Sequence, residues 1–199
     1  MVREPLQDGP LVPHRSALVA LLTTLSTASL VAQTTPSTRP PAGPPPAPCV
    51  ADSAARRFDF WIGDWDVSPA GHPEVIVGHS VVEKISGGCA LLENWTATNG
   101  SNGKSLNAFN RPLGHWQQYW VGSGGGVTEY RDSEWRGDTL VYLARSSSPK
   151  GAFLQRLSFS SQADGSVRQF AELSTDDGKT WSVGYDFYYR HHGEGGGRR

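Results

Sequence analysis

Residues 127–146 read VTEYRDSEWRGDTLVYLARS. Two runs of β-branched and aromatic residues flank Arg136-Gly137-Asp138, a triplet that tolerates the positive φ angles of a hairpin turn. A hairpin is expected here, and the pattern repeats outward in both directions. Strand-like segments fall at 59–68, 74–86, 89–98, 104–110, 115–121, 127–135, 139–146, 152–160, 167–175 and 180–190. Between them lie Gly71, Gly87-Gly88, Asn99-Gly100, Asn102-Gly103, Asp164-Gly165 and Asp177-Gly178, all turn-forming. A composition of 23 Gly, 7 Trp, 7 Phe and 6 Tyr with one Met suits short strands better than helices. No stretch of helical period is long enough to cover an open sheet. The expected fold is therefore all-β, a closed antiparallel up-and-down barrel of about ten strands, because closure removes exposed edges. A flattened two-sheet sandwich is the alternative.

The N-terminal 1–32 read as a signal peptide, since His14 and Arg15 precede an apolar, small-residue run from Ala17 to Ala32 without Asp or Glu. That run is shorter than the roughly 20 residues of a membrane-spanning helix. Residues 33–48 form a Pro-rich linker in which fixed φ angles and missing N–H donors favour an extended spacer. Residues 49–190 make one barrel domain, and the Gly-rich 191–199 read as a disordered tail. The expected location is periplasmic or extracellular. In an exported chain the only two cysteines, Cys49 and Cys89, are naturally paired in a disulfide. A formal net charge of -1 supplies no field to attract nucleic acid or anionic lipid, so neither partner is expected, and no membrane contact after signal cleavage.

The stretch Phe58-Asp59-Phe60-Trp61-Ile62-Gly63-Asp64-Trp65-Asp66-Val67 resembles the opening signature of a family of exported bacterial domains of unknown function. Similar to that family as well are Gly87-Gly88-Cys89-Ala90-Leu91-Leu92-Glu93-Asn94-Trp95, Lys104-Ser105-Leu106-Asn107, Trp116-Gln117-Gln118-Tyr119-Trp120-Val121, Asp177-Gly178-Lys179-Thr180-Trp181 and Tyr189-Arg190. The resemblance implies a fold and carries no activity with it. Gly63-Asp64-Trp65 also looks like the Gly-x-Trp of lipocalins and other calycin barrels, in which an Arg of the last strand packs over the Trp. That likeness implies that Arg190 lies across Trp65 and closes the barrel. Residues 174–181, STDDGKTW, resemble a single Asp-box hairpin, with Asp176 bonding turn amides, Gly178 at positive φ and Trp181 packing beneath.

Side chains alternate along a strand, so residues of one parity share the barrel interior. The faces taken as interior carry Leu91, Glu93 and Trp95; Ser105, Asn107 and Phe109; Trp116, Gln118 and Trp120; Arg168, Phe170 and Glu172; and Asp186, Tyr188 and Arg190. The candidate ligand-binding residues are Glu93, Trp95, Asn107, Trp116, Gln118, Trp120, Arg168, Glu172 and Tyr188, a mixture of aromatic wall and few polar groups that suits a small molecule. Glu93 and Glu172 are expected to pair with Arg168 or Arg156. His79 and His115 form no recognisable metal-ligand set, and no cofactor or metal is expected. No catalytic residue is marked by Gly-x-Ser-x-Gly, a phosphate loop, His-Glu-x-x-His or Cys-x-x-Cys. The function expected is binding of a small, partly apolar ligand in the barrel. The alternatives are an isomerase or hydrolase that uses a buried Glu as general acid or base, and a carbohydrate- or partner-binding surface built from Trp61, Trp135 and Trp181.

Overall fold

A computed structural model describes residues 47–193, so the expected signal segment, most of the linker and residues 194–199 lie outside the described residues. After the short helix α1 (Ser53–Arg56), eleven strands follow in chain order: β1 (Gly63–Pro69), β2 (Gly78–Ile85), β3 (Ala90–Ala97), β4 (Asn102–Asn110), β5 (His115–Gly122), β6 (Val127–Tyr130), β7 (Asp132–Arg136), β8 (Thr139–Ser148), β9 (Gly151–Ser161), β10 (Val167–Ser174) and β11 (Ser182–His191). All belong to one antiparallel sheet in the order β6-β5-β4-β3-β2-β1-β11-β10-β9-β8-β7. Consecutive strands pair except β6 and β7, and the first strand pairs with the last, with Trp65 opposite His191 and Val67 opposite Tyr189. The result is a nearly closed barrel.

The one missing seam falls inside the stretch expected to be a single strand, 127–135. Arg131 and Asp132 place two successive charges where a barrel strand alternates inward and outward, and both are exposed. The chain therefore leaves the ladder with β5 after Tyr130, opposite Gln118, and joins β8 at Asp132, opposite Leu143. Side chains bridge the step: Gln117 donates to the Arg131 carbonyl at 2.9 Å, and the Trp116 amide donates to Ser133 Oγ at 3.0 Å.

The first expected strand, 59–68, also differs. Asp59–Trp61 is a 3-10 turn, and β1 starts only at Gly63. In an extended chain Phe58 and Trp61 would point to opposite faces; the 3-10 turn, with side chains three apart on one side, sends both into the barrel end. Both are fully buried. Phe58 stacks on Trp61 with ring centroids 5.3 Å apart, meets Trp116 edge-on at 5.3 Å and Phe159 at 5.1 Å, while Trp61 lies 4.5 Å from Phe159. The opening signature is thus an aromatic plug.

Cys49 and Cys89 are disulfide-bonded, with Cα atoms 5.0 Å apart across a sequence separation of 40. Closing such a loop is worth about 4 kcal/mol in the chain-entropy model. Gly88 precedes Cys89 at φ 85°, and a Cβ there would meet Val50 within 3.1 Å, so glycine lets the chain before the plug pass closely over the turn.

The expected Arg190 clasp does not form. Arg190 sits opposite Asp66, not Trp65; its guanidinium donates to Ser68 Oγ at 2.8 Å and lies over Tyr188 at 5.3 Å. Trp65 is buried, stacks on the His191 ring at 4.2 Å and donates its indole N–H to the Trp61 carbonyl at 3.1 Å. The strand offset explains this, because Trp65 and Arg190 are one register position apart on opposite pleat faces. Backbone pairing of β1 with β11 closes the seam instead. Nor does the tail begin at residue 191: β11 includes His191, and the His192 amide donates to the Asp64 carbonyl at 2.9 Å.

The Asp-box-like hairpin has the expected internal bonding. Asp176 accepts from the Thr180 amide at 2.9 Å and its hydroxyl at 2.6 Å, and Gly178 adopts φ 84°. Those Thr180 bonds hold the Asp176 carboxyl down at about 2.

Candidate functional site

Strand parity and the aromatic plug divide the interior into a filled half and a hollow half. On β5, Trp116 is sealed among Phe58 and Phe109, Gln118 stands one pleat further, and Trp120 faces open space. On β3, Leu91, Glu93 and Trp95 repeat the sequence core, polar layer, cavity wall. The cavity has a volume of about 390 Å³. Its walls include Trp95, Trp120, Tyr130, Tyr185 and Phe187, and its polar floor is Glu93, Gln118, Gln169 and Tyr189. Two wall indoles lie over glycines: a Cβ at Gly78 would collide with the Trp95 ring, and one at Gly103 with the Trp120 ring. Neighbouring strands thus supply flat seats that fix how far each indole reaches into the space.

Glu93 is 3% exposed. It accepts from Ser80 Oγ at 3.0 Å, Ser105 Oγ at 2.8 Å and the Tyr189 hydroxyl at 3.2 Å. The network continues from Ser105 to Asn107 Nδ2 at 2.9 Å, and Asn107 Oδ1 receives both Gln118 Nε2 at 2.8 Å and the Tyr142 hydroxyl at 3.2 Å. Neither Arg expected to pair with Glu93 does so. Arg156 bonds Glu172 at 2.7 Å and Arg168 bonds Asp186 at 2.8 Å. Without a cation, burial pushes the Glu93 carboxyl above its ordinary value, and the Ser105, Ser80 and Tyr189 hydrogen bonds only partly offset that. The Tyr189 hydroxyl also lies 2.8 Å from Gln169 Oε1, so its one proton is shared between the Glu93 and Gln169 contacts.

Of the nine candidate ligand residues, Glu93, Trp95, Gln118, Trp120 and Glu172 line the cavity. Asn107 lies behind it, fully buried in the polar layer. Trp116 belongs to the plugged half, and its indole N–H has no hydrogen-bond acceptor among the described residues. Arg168 and Tyr188, expected in the cavity, lie outside it, because the opposite parity of β10 and β11 faces inward. Val167, Gln169 and Ala171 are buried on β10, and Tyr185, Phe187 and Tyr189 point to the core and cavity from β11. Arg168 instead lies outside with Asp186 and over Phe170 at 4.6 Å, and Tyr188 lies beneath Arg190. Glu172 shares the parity of Arg168 yet lines the cavity, because the register with β11 shifts between Ala171 and Glu172.

The surface platform of three indoles is not assembled. Trp61 is fully buried, Trp135 packs on Phe60 and Arg57, and Trp181 packs on Arg156. No protein-family model matches this chain, and no curated protein matches it.

Proposed function

We propose that this protein is an exported barrel that binds one small, partly apolar molecule bearing a hydrogen-bond acceptor. The observation that carries the reading is Glu93, a buried carboxyl with no cationic partner among the described residues, at the floor of a cavity walled by aromatic rings. A protonated Glu93 donates to a ligand oxygen or nitrogen, and Gln118 and Gln169 add neutral polar contacts. The stacked walls take the apolar body. Among the described residues no Lys, Arg or His lines the cavity, so an anionic ligand finds no pairing charge there. The disulfide supports export, and among the described residues no helix is long and apolar enough to cross a membrane.

Glu93 also gives specific support to the enzymatic reading, since an uncoupled carboxyl with a raised proton affinity is suited to general acid catalysis. In that case Glu93→Gln leaves affinity largely intact and abolishes conversion of the bound compound.

Mass spectrometry of small molecules released from the purified full chain tests the binding reading, together with titration by the neutral apolar fluorophore N-phenyl-1-naphthylamine. Saturable probe binding that quenches tryptophan emission and is weakened by Trp95→Leu is expected. A chain that releases no compound and does not bind the probe overturns the proposal.

A further inference from the structure

Outside the cavity, the seam where the first strand meets its two neighbours gathers a second cluster. Asp64 and Asp66 are two apart on β1 and so share one face of the strand. His79 of β2 stands opposite Asp66, and His192 follows the last residue of β11 with its amide bonded to the Asp64 carbonyl. The two imidazoles meet edge to face with centroids 4.8 Å apart. His79 Nε2 lies 3.0 Å from Asp64 Oδ1. Asp66 Oδ1 receives His192 Nδ1 at 2.8 Å and His79 Nδ1 at 3.5 Å.

We propose that Asp64, His79 and His192 bind a divalent transition-metal ion, Zn²⁺ or a close relative, with Asp66 as the positioning residue for both histidines. One ligand atom from each of the three lies within 4.8 Å of the others. Zn–N and Zn–O bonds of about 2.0–2.2 Å require ligand atoms about 3.3 Å apart in a tetrahedron, so modest side-chain rotation at this accessible surface completes the set. A carboxylate that accepts from Nδ1–H fixes the tautomer in which Nε2 keeps its lone pair, the usual support for a metal-bound histidine. Here one carboxylate does this for two rings. Two imidazoles and one carboxylate favour Zn²⁺, Co²⁺ or Ni²⁺ over Mg²⁺ or Ca²⁺, which prefer all-oxygen sites. Three protein ligands leave a fourth position to water.

The location assigns a role. Asp64 belongs to β1, His79 to β2 and His192 to the end of β11, so one ion would join both flanks of the strand on which barrel closure depends. It would do the work that the absent Arg190–Trp65 contact was expected to do.

Isothermal titration of the full chain, stripped with chelator and then titrated with ZnCl₂, tests the site. Saturable binding of one ion per chain is expected, weakened at least about 10-fold by His79→Ala or His192→Ala and about 10- to 100-fold by Asp66→Asn. His72→Ala and His115→Ala leave it unchanged. Zn²⁺ raises the thermal midpoint of the wild type in a concentration-dependent way and does not raise that of the His79→Ala, His192→Ala double variant. Co²⁺ gives a visible band with the intensity of four-coordination in the wild type only. The absence of saturable binding overturns the proposal, as does binding that survives the double variant, and circular dichroism establishes that each variant is folded.

Discussion

The two halves of this barrel are built from the same strands and the same kinds of residue, yet one is solid and the other hollow. Trp116 and Trp120 are four apart on one face of β5, and only the first is met by a plug from the chain's own entry segment. The difference teaches that aromatic content in a small barrel does not by itself decide between core and binding site. What decides is whether another element reaches in. At the filled end the 3-10 turn carries Phe58 and Trp61 inside, while at the other end Trp95 and Trp120 rest on Gly78 and Gly103 and leave the axis open.

The contrast is sharpest in the cost of removing an indole. Trp116→Ala is expected to destabilise the fold by about 3–5 kcal/mol, because it leaves a cavity among close-packed rings. Trp120→Ala enlarges a space that already exists and should cost about 1 kcal/mol. Urea unfolding of both variants measures the difference. Equal costs would mean that the hollow half is as tightly packed in solution as the plugged half.

Glu93 marks the boundary between the halves, and its titration gives a second, smaller test. Burial raises its folded-state pKa above the ordinary value near 4.5 that it has when unfolded. The neutral carboxyl is therefore the form that suits the fold, and the stabilisation it brings is complete below about pH 4.5 and lost as pH rises through the raised folded value. Tyr130, Tyr185 and Tyr189 also face this region, and burial raises all three, Tyr130 to about 12, so their effects enter only in strong alkali. Between pH 5 and 8 the wild type should lose stability relative to Glu93→Gln. Parallel profiles for the two proteins would show Glu93 to be ionised and hydrated in the folded state.

Much of this architecture is legible in the sequence because it rests on local signals. The Gly137 turn and the alternation along β3 to β5 follow from neighbouring residues, the disulfide from there being only two cysteines, and parity puts Glu93 with Trp95 and Gln118 with Trp120 on shared strand faces. Parity says nothing about which face is inside. On β10 and β11 the expected interior set contains the charged Arg168, Asp186 and Arg190, whereas Tyr185, Phe187 and Tyr189 hold that side on β11. Composition distinguishes the faces of β11: three aromatics, Tyr185, Phe187 and Tyr189, oppose Asp186, Tyr188 and Arg190, two charges and one aromatic. The plug and the seam cluster were less accessible. Phe58-Asp59-Phe60 alternates like a strand, and only the barrel end that receives Phe58 and Trp61 favours the tighter turn. His79 and His192 are far apart in sequence and meet only because β11 returns to β1.

The smallest effect belongs to the rim of the hollow half, where packing comes from the outer surface and not from a plug. Trp181, at the base of the Asp-box-like hairpin, donates its indole N–H to the Gly178 carbonyl at 3.0 Å and lies 4.2 Å beneath the Arg156 guanidinium. Arg156 in turn holds Glu172, a cavity-lining residue, at 2.7 Å. The hairpin therefore props an ion pair at the cavity mouth through one flat contact. Since Arg156 and Glu172 are only partly exposed, the guanidinium gains from stacking without being stripped of water entirely, and a coupling of about 0.5–1 kcal/mol is expected between Trp181→Ala and Arg156→Ala in a double-mutant cycle. Arg156→Lys should lose most of that coupling despite keeping the charge, because an ammonium does not stack as a planar group. If the two alanine substitutions simply add, the hairpin is an isolated turn, and the hollow half owes its shape to the glycine-seated indoles alone.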